Sequence, residues 1–319
     1  MPRAGSEGEP SRSPLTQPPE VIDLGAPELA GQARRALSDL EEGAAQRPFA
    51  VVACERLGAG ELEALAAPRL AGNRVLLLVR TWPGAALAEV FARGLTRNVL
   101  AGDRARDETA LKGTLRRLCR GPIAGAADQL GVVQREVRLT VRGAADRASV
   151  IQAARGLATG SGAHPRLVDA FCSAADELVT NGIYHAAVGP SPASRPFSGL
   201  PRDAHVELPS GSPVEVTLSL GERMLAACVR DPFGGLSAGR VLSALSRAYG
   251  KGKGQIRRRE GGAGIGLYVV AEGSAGLVLQ LCPGRWTEAI ALVPIAASYR
   301  EAAEGGRGLN VFEADPPSP

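Results

Sequence analysis

Lysine and aromatic side chains are scarce in this chain of 319 residues. Aromatic residues make up only 4% of the sequence and hydrophobic residues 45%, so a folded core must be built mainly from aliphatic side chains. Lys112, Lys251 and Lys253 are the only lysines, and arginine carries nearly all of the positive charge. The net charge of +4 is small and dispersed, so we do not expect nucleic-acid binding.

The cysteines are few and lack any CxxC pair. Five are present, far apart in the sequence: Cys54, Cys119, Cys172, Cys228 and Cys282. This spacing argues against a disulfide framework or a zinc site and favours a reducing compartment. No stretch approaches the roughly 20 apolar residues that span a bilayer, and the N-terminus lacks the apolar centre of a signal peptide. We therefore expect a cytoplasmic protein that does not bind a membrane.

Composition divides the chain into five parts. Residues 1–20 and 298–319 are rich in proline, glycine and charged residues, which predicts disorder at both ends. From 21 to 120, continuous apolar runs such as Phe49–Cys54 and Asn98–Ala101 alternate with amphipathic stretches. This pattern predicts parallel βαβ units whose strands are buried on both faces. Residues 121–134 are rich in glycine and alanine and are predicted to be a linker.

A different pattern begins at residue 135. An alternating strand at 135–142 precedes a helix at 146–156 and a strongly amphipathic helix at 165–185. The strands at 214–220 and 224–230 follow, then a helix from Ile265 and the final strands at 276–281 and 288–293. Residues 135–297 are therefore predicted to form an α+β domain separate from the α/β domain at 21–120.

The first group of candidate functional residues lies in the middle of the helix at 165–185. Glu177 and Asn181 are four residues apart, so they share one face of that helix. An amide oxygen can ligate Mg²⁺, and a neighbouring carboxylate can orient or deprotonate a nucleophile. The alternative interpretation is a solvated helix face.

The second group is Asp231-Pro232-Phe233-Gly234-Gly235, directly after a strand. A carboxylate at a strand end can accept a hydrogen bond from an exocyclic amine, and adjacent glycines let a flat ring approach the backbone. Taken alone, the same residues are also typical of a plain turn.

The third group is the stretch GGAGIGL at 261–267, which opens a helix. Glycines at a helix start expose backbone N–H groups, and the helix dipole favours an anion there. A dinucleotide-binding fingerprint must follow a buried strand. The preceding residues, QIRRRE, do not form one.

In order and spacing, these three groups resemble the GHKL superfamily of ATPases, which includes gyrase, heat-shock chaperone, histidine kinase and mismatch-repair members. ELVTN is similar to its asparagine box, DPFGG to its first glycine box and GGAGIGL to its second, while Thr287 is similar to its strand-end threonine. The resemblance covers about half of the chain. It implies a two-layer α+β sandwich of the Bergerat type that binds ATP and Mg²⁺.

The resemblance also implies a role for each matching residue. Glu177 would be the catalytic acid or base, and Asn181 would hold Mg²⁺ against the phosphates. Asp231 would bind the adenine amine with support from Thr287. The glycines implied to contact the nucleotide are Gly235, Gly262, Gly264 and Gly266.

Two further features follow from the resemblance. The family has glycine where this chain has Phe233, a departure that we expect to narrow the adenine pocket. Residues 236–261 would form a mobile lid over ATP, with Lys251, Lys253 and the arginines near them within reach of its charge. The alternative for these basic residues is a solvated loop.

The position of the histidines separates branches of the superfamily. His164, His185 and His205 are the only ones, and none lies on an upstream dimerisation helix as a histidine kinase requires. The compact order of elements instead resembles the anti-sigma-factor serine kinases. This implies a signalling regulator that transfers phosphate to a serine or threonine of an anti-anti-sigma-like or sigma-like partner. The alternative is a non-catalytic, ATP-binding scaffold or pseudokinase, and a homodimer is left open.

Residues 21–120 resemble a degenerate response-regulator receiver. Thr81 matches a receiver's switch threonine, but Cys54 or Glu55 stands at the phospho-acceptor position. Only Asp23 remains of the acidic metal ligands, and the strand-end lysine is missing. We therefore expect a docking or dimerisation surface here and no phosphorylation.

Overall fold

One mixed sheet runs through the whole molecule. The computed structural model describes residues 19–40, 48–67, 70, 74–186, 205–251 and 263–314. Its strands are β1 (Glu20–Leu24), β2 (Phe49–Cys54), β3 (Arg74–Val79), β4 (Asn98–Ala101), β5 (Val133–Val141), β6 (Val214–Gly221), β7 (Met224–Asp231), β8 (Gly276–Cys282), β9 (Trp286–Pro294) and β10 (Arg307–Glu313). Their order across the ten-stranded sheet is β1-β2-β3-β4-β10-β8-β9-β7-β6-β5.

The sheet changes character along this order. β1 to β4 are parallel, as predicted from the continuous apolar runs, and every residue of β2 is buried. β5, β6, β7, β9 and β8 form an antiparallel run. β10 joins the two runs, because it pairs antiparallel with β4 and parallel with β8. The strands of both predicted domains therefore lie in one sheet.

Helices cover both faces of this sheet. They are α1 (Pro27–Ser38), α2 (Ala59–Leu65), α3 (Leu87–Ala92), α4 (Asp103–Arg106), α5 (Glu108–Arg120), α6 (Ala127–Leu130), α7 (Arg147–Gly160), α8 (Pro165–Asn181), α9 (Ala238–Lys251), α10 (Ala263–Gly273) and α11 (Tyr299–Glu304). One face carries α1, α5 and α6. The other carries α2, α3 and α7 to α10. The fold is thus of the α/β class, and none of the described helices has the length and apolar character needed to cross a bilayer.

The longer helices follow from local sequence. α5 begins after Asp107, whose carboxylate accepts a hydrogen bond from the N–H of Ala110 at 3.1 Å. Leu111, Leu115 and Leu118 then recur at spacings of four and three, and all are buried against the sheet. Pro27 and Pro165 begin α1 and α8, where a missing backbone N–H carries no penalty.

The prediction that residues 298–319 are disordered is wrong for 298–313, where α11 and β10 form. Leu309, Val311 and Phe312 are buried in the centre of the sheet. The strand escaped notice because glycine and proline flank it and its partners lie far away in the sequence. The predicted disorder at 1–18 and 315–319 falls outside the described residues.

The predicted linker at 121–134 is an ordered covering for the sheet. It contains α6 and the start of β5, and Ala126 and Leu130 pack against β7 and β8. Two backbone N–H groups of this segment bind sheet side chains: Ile123 donates to Gln280, and Gly125 donates to Glu288 at 2.9 Å. Gln280 and Glu288 are both buried and hydrogen-bonded to each other, so the segment adds further partners to a buried polar pair of the sheet.

A substitution in β10 tests whether this strand belongs to the core. Leu309 is fully buried, so Leu309→Ala should reduce the free energy of unfolding by about 2–4 kcal/mol. Glu304→Ala, on the exposed side of α11, should change it by less than about 0.5 kcal/mol. Urea unfolding followed by circular dichroism measures both. Equal, small effects would mean that the strand is not part of the folded sheet.

Candidate functional site

Helix α8 carries the first candidate residues in a fixed orientation. The ring Nδ1 of His164 accepts a hydrogen bond from the N–H of Arg166 at 3.2 Å and caps the helix. Phe171, Ala175 and Leu178 are buried on the side facing the sheet. The helix ends at Asn181, where a π-helical turn over Gly182–Ala186 begins. Such turns interrupt regular helices and are frequent at functional sites.

The amide group of the Asn181 side chain is buried and makes no hydrogen bond within the described structure. Neither its amide oxygen nor its amide nitrogen has a hydrogen-bond partner among the described residues. Leaving such a group unpaired costs about 1–3 kcal/mol. A polar side chain held in this way at the end of a helix is a candidate for contact with a ligand.

Asp231 ends strand β7 in a turn that its own carboxylate organises. The backbone N–H groups of Phe233 and Gly234 donate to Oδ1 of Asp231 at 2.9 and 3.2 Å. Across the ladder, Asp231 is paired with Thr287 on β9. The Thr287 hydroxyl lies close enough to stabilise the carboxylate, although its buried Oγ1 makes no regular hydrogen bond within the described part of the chain.

Burial makes the ionised form of Asp231 costly. It raises the pKa of this carboxyl from 3.8 to about 6, against the opposing effects of Phe233, Gly234 and Thr287. The change corresponds to about 3 kcal/mol. Because the folded-state pKa lies above the unfolded value, folding is less favourable above pH 6 than below pH 4 by about this amount. A carboxylate kept at such a cost marks a candidate functional site.

Asn181, Asp231 and Thr287 line one cavity, which we call the Asp231 cavity. The remaining lining residues are Leu178, Gly182, Val229, Leu236, Leu267, Leu279 and Ala289. The cavity is mostly apolar with polar groups at few points, as is typical of ligand sites. Its volume of about 30 Å³ suits one or two water molecules. A larger ligand would have to displace walls such as Leu236 and Leu267.

Glu177 and Gly266 are in direct contact beside this cavity. A Cβ atom added at Gly266 would overlap the carboxylate of Glu177, so a larger residue at this position of α10 requires that carboxylate to move. The close approach brings the catalytic candidate of α8 to the first turns of α10. Gly264 also lies in the first turn of α10, whereas Gly262 falls outside the described residues.

Gly234, the first glycine after Asp231, is packed closely against the β8–β9 turn. Gly234 has a φ of +58°, and a Cβ atom there would lie 2.5 Å from the backbone of Cys282 and Arg285. Its carbonyl accepts a hydrogen bond from the N–H of Gly284 at 3.0 Å. Gly234 is therefore needed for packing on the β8–β9 turn. Gly235 and Phe233 do not line the cavity.

Residues 238–251 of the predicted lid form α9. Val241, Leu242 and Leu245 are buried, and the Ser246 hydroxyl donates to the carbonyl of Ala88 on α3 at 2.8 Å. For this part of the segment the structure favours a packed helix over a mobile lid, because both α3 and α10 cover its apolar side. The rest of the predicted lid, 252–261, lies outside the described residues, as does Lys253.

Aromatic side chains join α9 to the N-terminal half. Tyr249 is buried with its ring centroid 5.0 Å from that of Tyr268, 6.1 Å from Phe91 and 6.5 Å from Trp82. The indole N–H of Trp82 also donates to Glu272 of α10 at 3.1 Å. No local pattern in the sequence indicates this cluster, because its members come from four separate segments.

Arg80, which follows β3, forms ion pairs with Glu55 and Glu28. The Arg80 guanidinium binds Glu55 through two nitrogens and Glu28 through one, at 3.2 Å for the latter. Arg80 holds the pKa of the Glu55 carboxyl below its usual range. Cys54 is buried, which raises the pKa of its thiol. The carboxylates of Glu55, after β2, and of Glu28, in α1, are thus both paired with one guanidinium.

The apolar walls of the Asp231 cavity were missed in the sequence, although a signal existed. Residues two apart on a strand share a face. Val229 therefore lies beside Asp231, and Ala289 beside Thr287, and both line the cavity. Leu236 and Leu267 had no such signal, because a loop and a helix bring them there.

Substitution of Gly266 tests its contact with Glu177. Gly266→Ala should destabilise the fold by about 1 kcal/mol, because the Glu177 carboxylate must move aside to make room for the added methyl group. Gly273→Ala, at the other end of α10 with nothing within 4 Å, is the matched control. It should be neutral or stabilise by up to about 1 kcal/mol. Similar results for both variants, measured by thermal unfolding, would contradict the contact.

The function has to be inferred from this geometry. No protein-family model matches the chain, and no curated protein matches it.

Proposed function

We propose that the Asp231 cavity is the base-binding part of an ATP site of the GHKL type. The observation that carries the proposal is the convergence of Asn181, Asp231 and Thr287, which are far apart in the sequence, on one cavity. Each of them matches a residue of that superfamily. The antiparallel run of β5 to β9 with α7, α8 and α10 on one face also supports a Bergerat-type sandwich.

Asp231 would bind the adenine ring through its exocyclic amine. The ionised carboxylate accepts hydrogen bonds, and Thr287 lies beside it to support the same ring. The apolar side chains of Leu178, Val229 and Leu279 suit the faces of a purine. Leu236 and Leu267 would move apart to admit it, since the cavity as it stands holds only water-sized molecules.

The phosphates would lie toward the start of α10. The first N–H groups of a helix have no partner within it, so the first turn of α10, which contains Gly264 and Gly266, favours an anion. Asn181, with both amide atoms unpartnered in the described structure, would offer its oxygen to Mg²⁺. The described residues form no cluster of three or more His, Cys, Asp or Glu suited to a metal. Mg²⁺ bound here would take its other ligands from phosphates and water, as it commonly does.

Glu177 is the residue proposed for catalysis. It lies one helical turn before Asn181 and against Gly266, on the side of the proposed phosphate position. ATP would supply a transferable γ-phosphoryl group. Glu177 would orient, or take a proton from, the serine or threonine hydroxyl of a regulatory protein partner. The partner class proposed is an anti-anti-sigma-like or sigma-like protein in the cytoplasm.

A second function, that of a non-catalytic ATP-binding scaffold, is favoured by one observation. α9 is anchored to α3 of the N-terminal half by the Ser246–Ala88 hydrogen bond and by Tyr249. Occupation of the cavity would displace Leu236, two residues before α9, and so act on this anchored surface. In this function ATP binding alone would change what the N-terminal half, with its degenerate receiver-like character, presents to a partner.

Binding of a fluorescent ATP analogue in the presence of Mg²⁺ tests the proposed site. Asp231→Asn should weaken binding by at least about tenfold, because the amide removes the charge-assisted hydrogen bond. The amide oxygen can still accept from Phe233 and Gly234, so the fold is retained. For the wild type, affinity should fall as the pH drops through about 6, where Asp231 becomes protonated.

The matched control is Asp169→Asn, an exposed acid on α8. It should bind the analogue like the wild type at every pH. Wild-type protein that does not bind the analogue, or Asp231→Asn protein that binds it unchanged, would refute the nucleotide site.

Turnover separates the enzyme from the scaffold. Glu177→Gln keeps the size of the side chain and its packing on Gly266. It should lower transfer of radiolabelled phosphate by about a hundredfold or more and leave ATP affinity within about threefold. Glu222→Gln, in the exposed β6–β7 turn, is the control. If wild type and Glu177→Gln transfer and hydrolyse equally little while both bind ATP, the scaffold function is correct.

A further inference from the structure

A second cleft, which we call the Arg223 cleft, opens at the opposite end of strands β7 and β9. β7 runs from Met224 to Asp231 and β9 from Trp286 to Pro294. Met224 and Pro294 line the cleft, whereas Asp231 and Thr287 line the cavity described above. The two sites share no lining residue and lie roughly 20 Å apart, at about 3.3 Å per strand residue.

The cleft has the size of a small-molecule site. Its volume is about 410 Å³, within the range of ligand pockets. It lies beside the carboxyl end of β4, where the parallel run of the sheet stops at β10. Ligands of open α/β sheets bind in crevices outside the carboxyl ends of strands, at points where the order of the sheet changes.

The charged side chains of the cleft balance in number. The cations are Arg104, Arg106 and Arg223, and the anions are Asp103, Asp107 and Glu301. Two ion pairs form within this set: Arg104 with Asp107 at 3.0 Å, and Arg106 with Asp103 at 3.6 Å.

One charge of each sign is left over. Within the described structure neither the Arg223 guanidinium nor the Glu301 carboxylate has an ion-pair partner. Both lie on the wall of the cleft, on the β6–β7 turn and on α11. A ligand with a single type of charge would leave one of them unmatched. A ligand carrying both charges would match both.

Arg104 gives the cleft a buried, fixed positive charge. Only 3% of its side chain is exposed, and its Nε has no hydrogen-bond partner among the described residues. Its pKa is lowered mainly by burial and additionally by the nearby Arg223, while Asp107 opposes both. Two guanidinium groups from distant parts of the chain thus line the same cleft. An anionic group placed between them would relieve their repulsion.

We propose that the Arg223 cleft binds a small zwitterion of the amino-acid or short-peptide type. Its carboxylate would lie at Arg223 near Arg104, and its ammonium group at Glu301. The apolar part of the wall, formed by Met224, Ile295 and Ala302, would accept an aliphatic portion of the ligand. This function does not depend on the nucleotide site.

A panel of probes at low ionic strength tests the proposal. The twenty common amino acids and glycylglycine are screened by thermal shift. Succinate, putrescine and inorganic phosphate serve as comparisons, because each carries charge of one sign only. Binding of the best probe is then measured by isothermal titration calorimetry. At least one zwitterion should bind, and Arg223→Gln and Glu301→Gln should each weaken it about tenfold or more, the loss of one charge-assisted contact.

Matched variants and ligand derivatives identify which charge meets which residue. Glu222→Gln and Arg285→Gln alter exposed residues outside the cleft and should leave binding unchanged. The N-acetyl derivative of the best probe lacks the cation, so its weaker binding should no longer depend on Glu301. The amide derivative lacks the carboxylate and should no longer depend on Arg223.

Three results would overturn the proposal. The first is that no zwitterion of the panel binds more tightly than about 10 mM, a very weak affinity on the usual scale. The second is that succinate or phosphate binds best and is indifferent to Glu301→Gln, which would make the cleft a plain anion site. The third is that a zwitterion binds but neither variant weakens it.

Discussion

The backbone of β10 holds the two halves of this protein together. β4 and β8 lie in the middle of the sheet, where an unpaired N–H or C=O group would be buried away from water at a cost comparable to a lost hydrogen bond. β10 supplies partners to both strands, antiparallel on one side and parallel on the other. β8 in turn positions β9, and β9 carries Thr287 of the Asp231 cavity. The geometry of the candidate site therefore depends on a strand far from it in sequence.

The N-terminal half contacts the candidate site from two directions. α3 holds α9 through Ser246 and Tyr249 on one face of the sheet. On the other face, Gly125 donates to Glu288, the neighbour of Thr287 on β9. Successive residues of a strand point to opposite faces. Thr287 of β9 therefore faces the cavity, while Glu288 faces the segment after α5. Both contacts therefore join segments that line or adjoin the Asp231 cavity to the N-terminal half.

Local patterns in the sequence were enough to predict the strands and helices that depend on their own residues. The continuous apolar run of β2 and the spacing of buried residues in α8 are examples. β10 could not be found in this way, because it is stabilised by two strands distant in sequence. The joining of both halves in one sheet was missed for the same reason.

The candidate site was predictable only in part. Asn181 and Asp231 were candidates from local patterns and Thr287 from a resemblance, but no local pattern indicates that β7 and β9 pair in the register that brings Asp231 opposite Thr287. Gly234 was expected to admit a flat ring, and its packing on the β8–β9 turn was not predicted. Leu236 and Leu267 reach the cavity through tertiary structure alone.

The central position of β10 has a consequence for folding during synthesis of the chain on the ribosome. β4 is made some two hundred residues before its partner β10. At a translation rate of roughly 5–20 residues per second, the edge of β4 stays unpaired for on the order of ten seconds or longer. An open strand edge is a template for pairing with other chains. β4 contains only four residues, Asn98–Ala101, and this shortness limits the hazard of aggregation during translation.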